Sequence, residues 1–309
     1  MEKINNKELT LVVMAAGMGS RFGGLKQLQP VGPHGELILD YSLMDAKAQG
    51  FSQVIFIIKE ENQELFHQAI GEKVLIDMEV SYAYQKVEDL PEGFNHLANN
   101  RVKPWGTAHA VYAARNQIKT PFMVINADDF YGTETFEKMA HLLRRLEKNQ
   151  GAMVAFPVNK TLSENGSVSR GVSQVNERGE LVSLKEHTKI FLRNEGIISE
   201  LEDGNVELNK DTLVSMNVWG FLPEVLEGIE QELVSFLENL TDLEKEECYL
   251  PEVVSSMIEK NKLKVFVEKT EENWYGVTYK QDQSIIEDGI LKLHNQGRYQ
   301  TVREGGSHE

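Results

Sequence analysis

A short apolar run that ends in a glycine-rich segment constrains the fold of this chain more than any other feature. Leu9 to Ala16 is nearly continuous in apolar residues and lacks helical periodicity, which is typical of a parallel strand buried on both faces. Glycines at positions 17, 19, 23 and 24 follow, and glycine lets the backbone bring several N–H groups close to an anion. Arg21 and Lys26 add positive charge. The stretch therefore predicts a central strand leading into a phosphate-binding loop.

Two familiar phosphate-binding loops do not match this segment. A dinucleotide-binding fingerprint needs glycine three places after Gly19, and this chain has Phe22 there. A P-loop needs Ser or Thr directly after its lysine, whereas Lys26 is followed by Gln27. What remains is either a phosphate-binding loop of another kind or a glycine-rich turn that only joins a strand to a helix.

The segment resembles the signature of the nucleotidyltransferases that make nucleoside-diphosphate sugars, roughly A-G-x-G-[ST]-R followed by a lysine near L-x-P. The matching stretches are Ala16-Gly17-Met18-Gly19-Ser20-Arg21 and Lys26-Gln27-Leu28-Gln29-Pro30. The resemblance implies that Arg21 and Lys26 are catalytic, stabilising the β- and γ-phosphates of a nucleoside triphosphate. It also implies that small residues of the loop bind the nucleotide, namely Ala16, Gly17, Gly19 and Ser20.

Charge and cysteine content limit the classes of partner. The chain has 309 residues and a formal net charge of −16, which argues against a broad nucleic-acid surface because phosphate backbones are held mainly by clustered Lys and Arg. Cys248 is the single cysteine, which excludes an internal disulfide and suits a reducing compartment. We find neither a signal peptide nor an apolar segment of membrane-spanning length. We expect a cytoplasmic protein that binds no nucleic acid or membrane, and we leave a homo-oligomer open.

Apolar patterns divide the chain into two parts. Up to residue 158, patterns of buried strands and amphipathic helices alternate, which predicts a parallel sheet with helices on both faces. Beyond it, shorter strands with polar connections predict a small antiparallel addition. With the resemblance, this indicates an α/β fold with a Rossmann-like, mostly parallel sheet flanked by helices. Residues 1–158 are expected to form a nucleotide-binding half, 159–298 a sugar-phosphate-binding half of the same domain, and 299–309 a polar tail.

An acidic pair follows a predicted strand that ends at Ala127. Asp128 and Asp129 would lie at the carboxyl edge of the parallel sheet, where open α/β sheets bind their ligands. Carboxylates there can hold Mg²⁺, the usual partner of triphosphates. Capping of the next helix is the alternative for either residue. The resemblance implies a metal role for the first of the two, Asp128, with Mg²⁺ as cofactor.

A glutamine and a later glycine-led helix start form a second pair. Gln85 ends a predicted strand, and Gly106 and Thr107 open a predicted helix. The resemblance implies that these residues bind the nucleotide, with Gln85 and the backbone of Gly106 reading the base. The alternative is ordinary helix initiation with Thr107 as cap. We expect His109 to lie on the helix surface.

The second half carries candidates for the sugar side. The stretch from Gly171 to Glu186 resembles the strand pair with which the family contacts the sugar, and it implies that both residues bind substrate. Asn217 is a further substrate-binding candidate. The family has a lysine where this chain has His187, so the contact to the phosphate would fall to His187, Lys185 or Lys189, or be missing. The alternative is an ordinary hairpin with a charged, solvated edge.

A second metal ligand is harder to place. Many sugar nucleotidyltransferases carry a second metal aspartate in a W-x-D-x-G-T-like run, but Gly276 occupies the corresponding neighbourhood here and the nearest carboxylate is Asp282. Asp282 is therefore the candidate second metal ligand, with a helix cap before Gln283 as the alternative.

The resemblance, which spans about residues 9 to 295, implies transfer of a nucleotide from a nucleoside triphosphate to a sugar 1-phosphate with release of pyrophosphate. Two alternatives stay open. One is cytidylyltransferase-like transfer to a non-sugar phosphate, such as phosphocholine or a polyol phosphate, and the other is a non-catalytic nucleotide-sensing subunit.

Overall fold

The computed structural model describes residues 8–17, 30–71, 78–193, 196–276 and 281–299. Of the predicted phosphate loop, this includes Ala16 and Gly17. Four further candidates lie outside the described residues, and their roles stay predictions: Gly19, Ser20, Arg21 and Lys26.

The first half alternates strands and helices as the sequence predicts. Its strands are β1 (Leu9–Met14), β2 (Phe51–Ile58), β3 (Glu79–Tyr84), β4 (Phe122–Asn126), the two-residue β5 (Asp129–Phe130) and β6 (Gln150–Pro157). Its helices are α1 (Ile38–Ala48), the single-turn α2 (Gln63–Phe66), α3 (Thr107–Ala113) and α4 (Thr133–Arg145).

The second half is richer in strands than predicted. Its strands are β7 (Val168–Val175), β8 (Leu181–Arg193), β9 (Gly196–Leu201), β10 (Gly204–Leu208), β11 (Leu213–Phe221), β12 (Lys264–Lys269) and the two-residue β13 (Tyr275–Gly276). Its helices are α5 (Val225–Glu238), α6 (Leu250–Glu259) and α7 (Asp282–Asn295).

One large sheet contains strands from both halves. Strands β3, β2, β1 and β4 are neighbours in that order and run parallel. Strand β11 pairs antiparallel with β4 and continues the sheet through β7, β8, β9 and β10, and it also pairs with β6, which runs parallel to β12. The expected α/β fold with a Rossmann-like sheet and an antiparallel addition is confirmed.

Strand β1 is buried on both faces, as its apolar run predicts. Leu11 and Val13 pack in a core with residues of α1 and α4 such as Leu43 and Phe136. Val12, on the opposite face, packs in a second core with residues of α3, α5 and α6. Helices therefore cover both faces of the sheet, and its carboxyl edge is left to bind ligands.

The largest departure from the sequence prediction is the hairpin region after Gly179. Strand β8 continues beyond Glu186 to Arg193, and β9 and β10 follow it, where only short strands were expected. Most side chains of β8 and β10 are exposed, so these strands lack the regular apolar alternation on which a sequence prediction depends. Backbone pairing between neighbouring strands defines them instead.

The last described residues pack against the first half. The Tyr299 hydroxyl donates a 2.8 Å hydrogen bond to Asp45, and its ring lies 4.9 Å from that of Tyr41. Tyr299, which the sequence placed at the start of a polar tail, is thus an anchor to α1; residues 300–309 lie outside the described part. No helix in the described ranges is both long and apolar enough to cross a membrane.

Candidate active site

A cavity of about 990 Å³ opens between the carboxyl edge of β4 and the strand pair β7–β8. Residues of β11 and α6 complete its wall. Among the described residues, the candidates predicted for different parts of the substrates meet here: Thr107, Asp128, Gly171, Glu186 and Asn217. One predicted nucleotide residue, one predicted metal residue and the three predicted acceptor residues thus surround one space, whereas Gln85 and Gly106 are not among the residues that line it.

The acidic pair lies at the edge where β1 and β4 end together. Met14 of β1 is level with Asn126 of β4 in the parallel register, so Gly17 and Asp128 follow the same edge of the sheet. Asp128 is exposed to the cavity, whereas Asp129 is buried. The predicted phosphate loop thus begins close to the predicted metal residue.

Asp129 is held by two hydrogen bonds from its neighbours. The Asn126 side-chain amide donates to it at 2.8 Å and the Tyr131 hydroxyl at 3.1 Å. Burial, and next the charge of Asp128, raise the pKa of Asp129 to about 7, although both hydrogen bonds oppose the shift. Two neighbouring carboxylates repel each other when both are ionised, and a cation between or beside them removes this repulsion.

Neither aspartate caps the following helix, so that alternative is wrong. Helix α4 begins at Thr133 and its capping position is Gly132, with φ of 78° and no side-chain cap. The side chain of Glu272 instead accepts a 3.1 Å hydrogen bond from the N–H of Glu134 in the first turn.

Gly276 and Asp129 are opposite each other in the short β5–β13 pair. A Cβ at position 276 would lie 2.7 Å from Oδ1 of Asp129 and 2.2 Å from the Trp274 ring, which is too close for any side chain. An aspartate at this position would clash first with the Trp274 ring and next with the Asp129 carboxylate.

Asp282 does not lie with the cavity residues. It is the first residue of α7, is 5% exposed, and accepts hydrogen bonds from the Ser163 hydroxyl at 2.7 Å and the Asn165 amide at 2.8 Å. The capping position of α7 is Gln281 rather than Asp282. Its assignment as a metal ligand stays a prediction that no described contact supports.

The residues around Asp128 suit Mg²⁺ only if the substrates supply further ligands. Among the described residues, no three His, Cys, Asp or Glu side chains come together as a metal site. Mg²⁺ commonly uses one or two carboxylates, several waters and substrate phosphates rather than a complete protein cage. The exposed carboxylate of Asp128, with Asp129 adjacent, offers this kind of hard-oxygen set.

Gln85 is fixed against the start of α3. Its amide nitrogen donates a 2.9 Å hydrogen bond to the Gly106 carbonyl and lies 3.2 Å from Nδ1 of His109. Nε2 of His109 lies 2.8 Å from the Asp89 carbonyl, and a carbonyl can only accept, so Nε2 carries the proton. Burial lowers the pKa of His109, which keeps the ring neutral and leaves Nδ1 to accept from Gln85.

The prediction that His109 lies on the helix surface is wrong, and the same contacts fix the orientation of the Gln85 amide. His109 is fully buried rather than on the helix surface. It accepts one amide proton of Gln85 while Gly106 accepts the other. The amide oxygen of Gln85 is therefore the atom with a fixed orientation that a ligand could use.

Gly106 and Thr107 join α3 to the start of α6. Gly106 has φ of 100°, and a Cβ there would lie 2.5 Å from the Cys248 carbonyl, so only glycine fits. The Thr107 hydroxyl accepts a 2.8 Å hydrogen bond from the N–H of Leu250. Thr107 does not cap its own helix; it fixes the α6 wall of the cavity.

The side of the cavity with the residues predicted to bind the acceptor is formed by β7, β8 and a bulge in β11. Gly171 is opposite Glu186 in the β7–β8 register. Asn217 has φ of 60° and lies where the register of β11 shifts between Ser215 and Trp219. Burial raises the pKa of Glu186, with Arg170 opposing the shift. The bulge interrupts the sheet at Asn217 and opens room beside Gly171.

The sequence analysis missed Arg170. It is 7% exposed, lines the cavity and lies over the Trp274 ring, with its guanidinium carbon 4.6 Å from the ring centre. The one available signal was its position directly before Gly171. A strand position alone does not reveal a buried arginine, because the ring that covers it, Trp274, comes from a distant part of the chain.

Comparisons with known proteins identify the family of the chain. The family described as Nucleotidyl transferase matches residues 10–282. No curated protein matches the sequence.

Solved structures show the same fold at low identity. The inositol-1-phosphate CTP transferase from T. maritima is 15% identical, with a TM-score of 0.60 over 98% of this chain and 99% of that one. A Bacillus anthracis structure assigned as a glucose-1-phosphate thymidylyltransferase is 11% identical, with a TM-score of 0.61 over 91% and 95%. A UDP-glucose pyrophosphorylase bound to UDP-glucose is 14% identical, with a TM-score of 0.59 over 92% and 99%.

We predict that Gln85→Ala reduces discrimination among the four nucleoside triphosphates by roughly tenfold while leaving kcat within about threefold, because a base contact is remote from the reacting phosphorus. The measurement is kcat/KM for each triphosphate. Gln174→Ala, at an exposed position of β7 outside the cavity wall, is the matched control. Equal loss with all four triphosphates would contradict base reading by Gln85.

Proposed function

The chain belongs to the nucleotidyl transferase family, and on that basis we propose that it joins a nucleoside triphosphate to a sugar 1-phosphate, releases pyrophosphate and produces a nucleoside-diphosphate sugar. The observation that carries the proposal is the meeting of Thr107, Asp128 and Glu186 around one cavity. A nucleotide and a second phosphate compound both need room there, and about 990 Å³ is enough for the two.

The proposed reaction is a direct displacement at phosphorus. An oxygen of the acceptor phosphate attacks the α-phosphorus of the triphosphate, and the bond to the oxygen bridging to the β-phosphate breaks, so that pyrophosphate leaves with the bonding electrons. No covalent enzyme intermediate is required. The protein contributes by orienting the two phosphates and by lowering the cost of bringing their charges together.

Each group of residues has a distinct part in this proposal. Gln85 and the Gly106 backbone orient the base. The acceptor is oriented on the other side of Asp128 by Gly171, Glu186 and Asn217. The loop cations Arg21 and Lys26 are expected to stabilise the leaving pyrophosphate. Asp128, supported by Asp129, would hold Mg²⁺, which when bound neutralises phosphate charge during the transfer.

A non-sugar acceptor is the second candidate. The supporting observation is that the family lysine is replaced by His187, so the acceptor side differs from the pattern of the sugar enzymes. One structural neighbour is an inositol-1-phosphate CTP transferase, and a polyol phosphate presents the same phosphate and hydroxyl chemistry as a sugar phosphate.

A pyrophosphate-release screen tests the proposal and its alternatives. Each of the four triphosphates is combined with sugar 1-phosphates, inositol 1-phosphate and phosphocholine in the presence of Mg²⁺. We expect release with at least one sugar 1-phosphate. Release with a polyol phosphate or phosphocholine alone would replace the sugar assignment. Tight triphosphate binding without release from any pair would favour the nucleotide sensor.

We predict that Asp128→Asn lowers kcat/KM by two or more orders of magnitude, because the variant keeps the shape of the side chain but loses the charge that holds Mg²⁺. Calorimetry should show that Mg²⁺ no longer strengthens binding of the triphosphate. Asp203→Asn, at an exposed turn between β9 and β10, is the control and should behave as wild type. Wild-type activity and Mg²⁺ response in Asp128→Asn would place the metal elsewhere.

A further inference from the structure

Arg170 is a buried cation on the cavity wall whose donors are only partly used. One terminal nitrogen of its guanidinium donates to the Ser169 carbonyl at 2.7 Å, and the other donates to the Thr161 carbonyl. The group also lies over the Trp274 ring. These contacts fix its position without bringing any carboxylate into hydrogen-bond distance among the described residues.

The Nε–H of Arg170 is buried and has no hydrogen-bond partner within the described part of the chain. A buried donor without a partner typically costs about 1–3 kcal/mol, and buried polar groups are almost always paired in native proteins. Each terminal nitrogen of the guanidinium carries a second N–H beyond the one donated to Ser169 or Thr161, and Arg170 is one of the residues that line the cavity, so a bound anion could accept from these donors. The guanidinium geometry suits phosphate, which can accept two parallel hydrogen bonds from it.

Arg170 remains charged in this environment. Burial lowers its pKa to about 10, while Asp129, Glu186 and then Asp282 oppose the shift, so the guanidinium is protonated at neutral pH. Asp129 and Glu186 both line the cavity. The guanidinium is therefore within electrostatic reach of the predicted metal edge and of one predicted acceptor residue.

The other candidate cations on this side are less suited. His187 is 7% exposed, its Nδ1 lies 2.8 Å from the Ser199 hydroxyl on β9, and burial followed by the charge of Lys185 lowers its pKa. A neutral imidazole bonded to β9 cannot replace a lysine at a phosphate. Lys189 lies 3.8 Å from Glu200 and is mostly exposed. Lys185 lines the cavity but its side chain is exposed.

The β7–β8 register connects these observations. Arg170 is the direct cross-strand partner of His187, and side chains at paired positions of an antiparallel ladder project from the same face. His187 is not among the described residues that line the cavity, whereas its cross-strand partner Arg170 is, so a cation absent at position 187 can be supplied from the paired position. Position 187, where the family has a lysine, and Arg170 thus form one cross-strand pair.

The geometry points to Arg170 as the residue that binds the phosphate group of the acceptor, in place of the family lysine missing at position 187. This inference rests on the proposed function for the identity of the acceptor as a phosphate monoester. It does not depend on whether that monoester is a sugar phosphate or a polyol phosphate, because Arg170 contacts the phosphate that both share.

The test compares Arg170→Gln, which removes the charge, with Arg170→Lys, which keeps the charge but not the planar fork. Using the acceptor that the wild-type screen identifies, we expect Arg170→Gln to raise the KM for the acceptor by roughly tenfold or more. The KM for the triphosphate should change by less than about threefold. Arg170→Lys should recover part of the loss. Arg178→Gln, at an exposed turn of the same hairpin, is the matched control.

A binding measurement keeps this test separate from the activity. Inorganic phosphate is titrated against each variant while tryptophan fluorescence is followed, since Trp274 lies against Arg170. We expect a saturable change in the wild type that is lost in Arg170→Gln and retained in Arg178→Gln. This result would support Arg170 even if the screen found no substrate, in which case the proposed function alone would fail.

Four results would overturn the inference. One is an unchanged KM for the acceptor in a folded Arg170→Gln variant. A second is an equal rise in the KM of both substrates, which would indicate a structural role. A third is loss of acceptor binding in Lys185→Gln instead. The last is the absence of any fluorescence response to phosphate in the wild type. If Arg170→Gln does not fold, the Arg170→Lys variant is measured instead. KM values for both substrates that equal those of the wild type in this variant would contradict the inference.

Discussion

The site depends on the position of β4 in the sheet. Strand β4 (Phe122–Asn126) pairs parallel with β1 on one side and antiparallel with β11 on the other. The parallel pairing brings the end of β4 to the edge where the glycine-rich segment begins, and the antiparallel pairing brings the second half of the chain beside it. Asp128, two residues beyond this strand, therefore lies where both halves meet.

Departures from regular pairing then make space at this point. The register of β11 shifts around Asn217, and the short β5–β13 pair brings Gly276 against Asp129. Both features lie beside the cavity. The register shift interrupts regular sheet pairing and leaves an open wall, and the short pair holds the Asp129 carboxylate in place. Among the described residues of this wall the cations are Arg170 and Lys185, and of these two Arg170 is held in place by backbone carbonyls. Binding of phosphates in a chain of net charge −16 depends on such local donors.

Local patterns revealed part of this architecture. The burial of β1 on both faces and the position of Asp128 after β4 could be predicted, because both follow from patterns of residues that are adjacent in the sequence. The burial of His109 could not be predicted, because its hydrogen-bond partners Gln85 and Asp89 lie in a segment that precedes its helix by about twenty residues. Arg170 could not be predicted for a similar reason, since the Thr161 carbonyl and the Trp274 ring that hold it lie outside its own strand. Strands β9 and β10 depend on pairing rather than on apolar alternation.

The central claim is that one cavity holds both substrates, with their phosphates meeting between Asp128 and Arg170. The most direct measurement is a crystal structure with Mg²⁺, an accepted triphosphate and a non-reacting phosphonate analogue of its acceptor. We predict the base beside Gln85, the α-phosphate near Asp128 and the phosphonate on the Arg170 guanidinium. A phosphonate bound outside this cavity, or a nucleotide whose α-phosphate lies far from Asp128, would contradict the account.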